Sequence, residues 1–218
     1  MVQVVQEKDR AQREQKVVFS YTTKMLITPQ IYSRAGTTVG GDFGRALDAG
    51  CGMKKIKGFI GLDIIPEADI VHDMNVLPWP FEKNSFDLVL TNSTLEHVVD
   101  VQKTLEEIHR ILVPGGRLIV KVPHFRAIDA FVDPTHFHFF GAYSMDFFAE
   151  GTHAEHYHYT TKQFRKLAFW YGWPHPSKNF LKRWFVKFIT KHPRLYDQWL
   201  SLLVPIKCIF WELEVVKK

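Results

Sequence analysis

Ala46-Leu47-Asp48-Ala49-Gly50-Cys51-Gly52 decides how this chain folds: a short apolar strand carrying an acid runs into two glycines that turn the backbone sharply. Glycine after a strand lets the main chain approach a ligand closely, because a Cβ at that point would collide with it. Only Met53, Lys54, Lys55, Ile56, Lys57 and Gly58 separate Gly52 from the next apolar run, Phe59 to Ile64. A crossover with its own helix takes at least ~10 residues, so the spacing predicts a loop or one helical turn. The second strand ends on Asp63 ahead of Ile65-Pro66, where a carboxylate is placed to accept both hydroxyls of a ribose. A dinucleotide site would want a third glycine where Lys55 stands and an acid about 20 residues on; neither is present.

Further apolar runs follow at Asp87 to Thr91 and Leu118 to Val122. Between them Val101, Leu105, Ile108 and Leu112 recur at helical spacing, with Asp100 as the N-cap and Pro114-Gly115-Gly116 as the stop. Strands alternating with crossovers imply an α/β fold on a mainly parallel sheet, whose ligands sit at the carboxyl ends of its strands. The last run, Ile209 to Val216, alternates and reads as a closing strand. Residues 1–44 read as an N-terminal arm of a helix or two, with Gly36, Gly40, Gly41 and Gly44 leading into a single domain over 45–218. Within that domain, 125–200 reads as an aromatic and basic cap on the acceptor side.

The 218 residues hold 46% apolar residues and carry a net charge of +5, enough for one sizeable core. The cations are interleaved with acids, so charge alone does not call for nucleic acid. Cys51 and Cys208 form no CxxC pair, which argues against a disulfide framework or an iron–sulfur site. No apolar stretch approaches the ~20 residues of a membrane span, and residues 1–10 lack the basic cap and apolar core of a secretory signal. A cytoplasmic location is the expectation.

Five segments resemble the class I S-adenosylmethionine-dependent methyltransferases, in order and at compatible spacing. The 46–52 turn is similar to that family's first motif and Gly61-Leu62-Asp63-Ile64 to its ribose-binding acid. Val71-His72-Asp73-Met74 through Phe81 resembles its adenine segment, Ser85 to Val98 its fourth motif, and Leu112 to Leu118 the turn before strand five. The resemblance implies a Rossmann-like, mainly parallel seven-stranded sheet with helices on both faces and the last strand antiparallel. It implies S-adenosylmethionine as cofactor, held by Asp48, Gly50, Gly52, Asp63, Ile64, Asp73, Met74, Asn92 and Ser93. Asp48 would orient the turn or meet the cofactor's ammonium group, Asp63 would hold the ribose, Asp73 would accept from the adenine amino group with Met74 packed on the ring, and Asn92 and Ser93 would line the pocket beside the sulfonium. Taken singly, each is also explained by a tight turn, a solvated strand end or a local cap.

Methyl transfer from a sulfonium is an in-line displacement that depends on alignment, with a base required only where the acceptor holds its proton near neutral pH. His97, His124 and His136 are the candidates, the last two in Val122-Pro123-His124-Phe125 and Asp133-Pro134-Thr135-His136, segments resembling a subgroup of these enzymes. For His97 the competing reading is packing at a helix start. A metal held by His136, His138, His153, His156, His158 and Asp133 is weighed and set aside, since no preformed half-site such as His-x₃-His on a helix is present; no metal is expected. The resulting expectation is methyl transfer to a small-molecule O or N acceptor. Its rivals are an RNA or protein methyltransferase, drawing on the aromatic and basic run from Phe164 to Lys191, and a non-catalytic cofactor- or partner-binding protein.

Overall fold

In the computed structural model, residues 26–32, 44–152, 154–157, 159–175 and 177–217 are described. The expected arm lies mostly outside them, as do His153 and His158. Seven strands form one sheet in the order β3-β2-β1-β4-β5-β7-β6, with β1 Ala46–Ala49, β2 Ile60–Asp63, β3 Ile70–Val71, β4 Phe86–Asn92, β5 Leu112–Pro123, β6 Phe164–Tyr171 and β7 Cys208–Val215. Strands β3, β2, β1, β4 and β5 pair in parallel, and β7 runs antiparallel between β5 and β6. The Rossmann-like expectation, last strand antiparallel, matches this order. No helix lies between β1 and β2, as the six-residue spacing predicts.

Two apolar faces follow from the period-two geometry of the strands. Leu47, Ala49, Val89, Val120, Trp211 and Leu213 point to one face, and Ala46, Leu88, Leu90, Ile119 and Phe210 to the other. Helix α2, Val101–Ile111, covers the first face; α1 denotes the turn Thr28–Ile31. Asp100 caps α2 by accepting from Lys103 N at 2.9 Å. Leu105, Ile108 and Ile111 are buried on that face, each contributing about 2 kcal/mol by removal from water. Helices α3, Phe180–Lys191, and α4, Pro193–Gln198, send Ile189 and Tyr196 into the same cluster.

The second face is covered, among the described residues, by Ile31 and Tyr32 of the α1 segment with Ile56 and Phe59. Glu212 on β7 anchors α1: its buried carboxylate accepts from Thr28 N at 3.0 Å and Thr28 Oγ1 at 2.8 Å, and faces Arg117 at 3.6 Å. This joins residues 184 positions apart, on one of the least accessible strands of the sheet.

Within the range read as an acceptor-side cap, Phe164–Tyr171 is instead edge strand β6. A register shift between Lys166 and Ala168 breaks its pairing to β7, so alternation fades in the sequence although the aromatics suit a pleated surface. Among the described residues of that range only α3 and α4 are α-helical, and apolar residues on and beside them are shared between the core and solvent: Phe180, Leu181, Trp184 and Trp199 remain exposed.

Candidate active site at the carboxyl edge of the sheet

The turn after β1 is built by two glycines for different reasons. Gly50 adopts φ +75°, and a Cβ there would lie 2.3 Å from Thr94 Cγ2 and 2.4 Å from Thr94 Oγ1. Gly52 adopts φ +52°, but a Cβ on it would meet nothing within 4 Å. Gly50 is thus demanded by packing, whereas Gly52 presents bare backbone to an open face. Gly50 N and Cys51 N donate to Leu62 O at 2.8 and 3.3 Å, and Thr94 Oγ1 donates to Ala49 O at 3.2 Å, which holds β1, β2 and β4 together at one edge.

Asp63 closes the turn from β2. Its Oδ2 accepts from Gly52 N at 2.8 Å and its Oδ1 from Ile64 N at 2.8 Å. A carboxylate has about four acceptor positions, so Oδ2 keeps capacity for a ligand hydroxyl. Ile64 beside it is 66% exposed and offers an apolar surface at the same edge. Asp48 is 2% exposed and accepts from Ile56 N at 3.0 Å; burial, outweighing that bond, pushes its carboxyl up to about 6. Of its two expected roles, these contacts support orienting the turn, since the side chain braces the short crossover from beneath.

Asp73 is exposed and accepts from Asn75 N at 2.8 Å, forming a local turn, while Asn75 Oδ1 accepts from Val99 N at 2.8 Å. Met74 packs in the core rather than outward, and its carbonyl accepts from Trp79 Nε1 at 3.0 Å. Asn92 and Ser93 lie at the end of β4, where Lys121 Nζ from β5 donates to Asn92 Oδ1 at 2.9 Å and Ser93 Oγ at 3.1 Å. Lys121 also stands 5.7 Å from the Trp173 ring centre, an edge cation that residue type alone did not single out.

Two residues beyond Thr94 the chain reaches Glu96, whose side chain meets His97 and His136. One potential ligand atom from each lies within 4.8 Å of the others, and the two imidazole rings cross at 4.5 Å between centres. Glu96 is 1% exposed, yet neither carboxylate oxygen has a hydrogen-bond partner among the described residues. Burial, offset only in part by its own backbone and the charge at His136, pushes its carboxyl up to about 7. The segment Asp133 to Phe140 is hung on this point: Phe137 N and His138 N donate to Glu96 O at 2.8 and 3.3 Å. His138 is engaged with Val98 O at 2.9 Å and His156 is exposed on a short 3-10 turn, so of the histidines weighed as metal ligands only His136, among the described residues, joins this group. Glu96 was missed because Leu-Glu-His reads as the start of a helix; the signal available was an acid adjacent to His97 at a strand end.

His124 does not join them. It is 0% exposed, bonded through Nε2 to Asp197 at 3.1 Å and packed against Tyr171 and Tyr196. Because Nδ1 accepts from Arg126 N at 3.3 Å, Nε2 carries the proton and donates it. These contacts make His124 a structural link between β5 and α4 and correct its reading as a base at an open site: a fully enclosed donor already paired with a carboxylate cannot reach an acceptor. A separate cavity lined by Lys83, Arg110, Lys162 and Lys217 lies by the start of β4, at the opposite end of the strand from Asn92.

Residues 47–120 match the family model described as a methyltransferase domain. The ubiquinone/menaquinone biosynthesis C-methyltransferase UbiE of Pseudoalteromonas translucida is 35% identical over 91 residues, 42% of this chain and 34% of that protein. The mitochondrial arginine-hydroxylase NDUFAF5 of Mus musculus is 36% identical over 96 residues, 34% of this chain and 27% of that protein. The matches therefore span about a third or less of these relatives. The YcgJ structure from Bacillus subtilis superposes with a TM-score of 0.49 at 16% identity, covering 82% of this chain and 94% of that one. Sheet order, the Gly50–Gly52 turn with Asp63, and the match over 47–120 agree: residues 47–120 are similar to a methyltransferase domain, and the sheet that carries them has the Rossmann-like order.

Proposed function

We propose that this protein transfers the methyl group of S-adenosylmethionine to a small-molecule acceptor bound between the Gly52 turn and the 133–140 segment. The observation that carries the reading is the open backbone face at Gly52 beside the Asp63 carboxylate. A ribose hydroxyl fits the remaining acceptor position of Asp63, and Ile64 supplies an apolar face for the base. Bound there, the cofactor supplies an electrophilic methyl group on a sulfonium. Gly50, locked against Thr94, sets the height of the turn, while Asn92, Ser93 and Lys121 shape the floor at the end of β4. Holding the two reactants in line contributes most of the rate, and the Glu96–His97–His136 group keeps a hydroxyl or amine acceptor in its deprotonated, nucleophilic form.

Apart from Glu96 and His97, the proposed acceptor side lies beyond the segment that matches the family model, which ends at Val120. The relatives that match part of this chain include a C-methyltransferase and an arginine hydroxylase by name, so the acceptor is sought in this chain's own loop. There Phe131 and Phe139 stack at 4.8 Å between centres, and both are exposed together with Ile128, Val132 and Phe137. An apolar or aromatic acceptor suits that wall. Among the described residues no helix is long and apolar enough to cross a membrane. Cys51 and Cys208 are free and buried, which suits a reducing compartment, the cytoplasm in this reading.

Calorimetric titration with S-adenosylmethionine tests the assignment. Asp63→Ala removes hydrogen bonds of about 1.5–3 kcal/mol each to a charged group, so affinity should fall by about 10-fold or more, whereas His136→Ala should keep affinity and lose turnover. Unchanged affinity in Asp63→Ala overturns the site. A macromolecular acceptor is the second reading, favoured by exposed Phe180 and Trp184 beside Arg183, whose guanidinium lies 5.9 Å from the Phe180 ring. Steeply salt-dependent binding of single-stranded RNA would support it instead.

A further inference from the structure

The tautomers of His97 and His136 follow from their partners. His136 Nδ1 lies 3.0 Å from Ala130 O, and a carbonyl only accepts, so Nδ1 carries the proton. His97 Nδ1 lies 2.9 Å from Thr135 Oγ1. That hydroxyl gives its one proton to Asp133 Oδ1 at 2.7 Å, so it accepts from His97 Nδ1–H. In their neutral forms both imidazoles therefore keep Nε2 bare, each with its other nitrogen held by an oxygen, which is the arrangement that orients histidine as a metal ligand. Between them stands Glu96, buried with two unpartnered oxygens. An isolated carboxylate so buried costs several kcal/mol unless a cation meets it.

We propose that Glu96, His97 and His136 form a binding site for one divalent first-row transition cation, zinc being the best match, with Asp133 and Thr135 as its supporting shell. Two imidazoles and one carboxylate favour such an ion over magnesium or calcium, which take oxygen donors. Three protein ligands leave a fourth position open, the form of a zinc site that binds a substrate rather than one that only stabilises a fold. Atoms around a tetrahedral zinc at about 2.0–2.1 Å stand about 3.3 Å apart; from within 4.8 Å, the side chains need close by no more than about 1.5 Å. The site departs from the expectation of no metal, because that expectation considered histidines close in sequence and the fold pairs Glu96-His97 with a residue 39 positions on. On the methyl-transfer reading, the open position would hold the acceptor's oxygen, and the ion's charge would favour its anion, narrowing the acceptor to a hydroxyl-bearing compound, such as a phenol or enol. The metal site itself does not depend on that reading.

The test uses the full chain without a histidine tag, stripped with chelator and titrated with Zn²⁺, and with Co²⁺ followed by its visible absorption. One equivalent should bind, with the intense bands of a four-coordinate cobalt site. Glu96→Gln, His97→Ala and His136→Ala should each lose that binding, while His156→Ala retains it. Thr135→Val, which leaves every ligand in place, should weaken it about 10–100-fold with little change in the unfolding temperature. Absence of one-equivalent binding, or binding that survives all three ligand substitutions, overturns the proposal. S-adenosylmethionine affinity measured on the same samples separates the two readings: loss of metal with cofactor affinity intact concerns this site alone, and metal binding without cofactor binding leaves it standing while removing methyl transfer.

Discussion

Asp197→Ala should be among the most damaging single substitutions outside the site. The Asp197 side chain is 14% exposed and gathers three donors from distant parts of the chain: Tyr171 OH at 2.6 Å, His124 Nε2 at 3.1 Å and Ala142 N at 2.9 Å. Removing the carboxylate leaves Tyr171 a second acceptor, Pro193 O at 3.4 Å. The His124 and Ala142 donors are left buried and unpaired, at about 1–3 kcal/mol each, or about 2–6 kcal/mol together. At about 2–4 °C per kcal/mol for a domain of this size, the unfolding temperature should drop by roughly 5–20 °C. Asp197→Asn keeps one acceptor oxygen and should fall between. Scanning calorimetry of the three proteins decides it, and an Asp197→Ala transition within about 2 °C of the parent would refute the view that this carboxylate fastens β5, β6 and α4. Burial raises the Asp197 carboxyl, but the bonds from His124, Tyr171 and Ala142 N outweigh it and hold it below the ordinary 3.8. Its contribution is therefore present above that value and lost as pH falls towards the lower folded one, so the penalty of the alanine variant should shrink in acid.

Gly50→Ala combines left-handed backbone at about 1–2 kcal/mol with overpacking against Thr94 at about 1–3 kcal/mol; denaturant titration should show the sum, and Thr94→Ala in the same chain should recover part of it. If the double variant is no better than additive, the contact does not explain the glycine. Asp48 behaves oppositely to Asp197: its folded carboxyl is raised from 3.8 to about 6, so its stabilising share is present below 3.8 and is lost as pH rises to about 6. Two units correspond to about 3 kcal/mol. Asp48→Asn should remove that slope, and parallel stability curves for parent and variant across this window would contradict it.

The part of the fold that carries the proposed cofactor site was legible because its signals are local. A β1 strand that ends in Gly50 and Gly52, a crossover too short for a helix, Asp63 at the next strand end and the Asp100 cap each involve residues a few positions apart. The proposed acceptor side was not. Glu96 and His136 are 40 positions apart, and neither alone looks different from a packed side chain. His124 looked like a base because it follows a strand end, and only the closure of Tyr171, Tyr196 and Asp197 over it shows that it is enclosed. Strand β6 escaped because its register shift removes the alternation by which an edge strand is recognised.

Taken alone, the sequence determined β1, β2, β4, β5 and β7, the glycine turn and the acid that faces it, since backbone conformation and apolar periodicity are properties of neighbouring residues. Tertiary structure decided what the open face at Gly52 looks onto, which histidine is enclosed, and which acid stands beside the other two. Those depend on how β4, β5 and the 133–140 segment pack, and on whether a buried oxygen finds a partner there: Asp197 has three donors and Glu96 has none among the described residues.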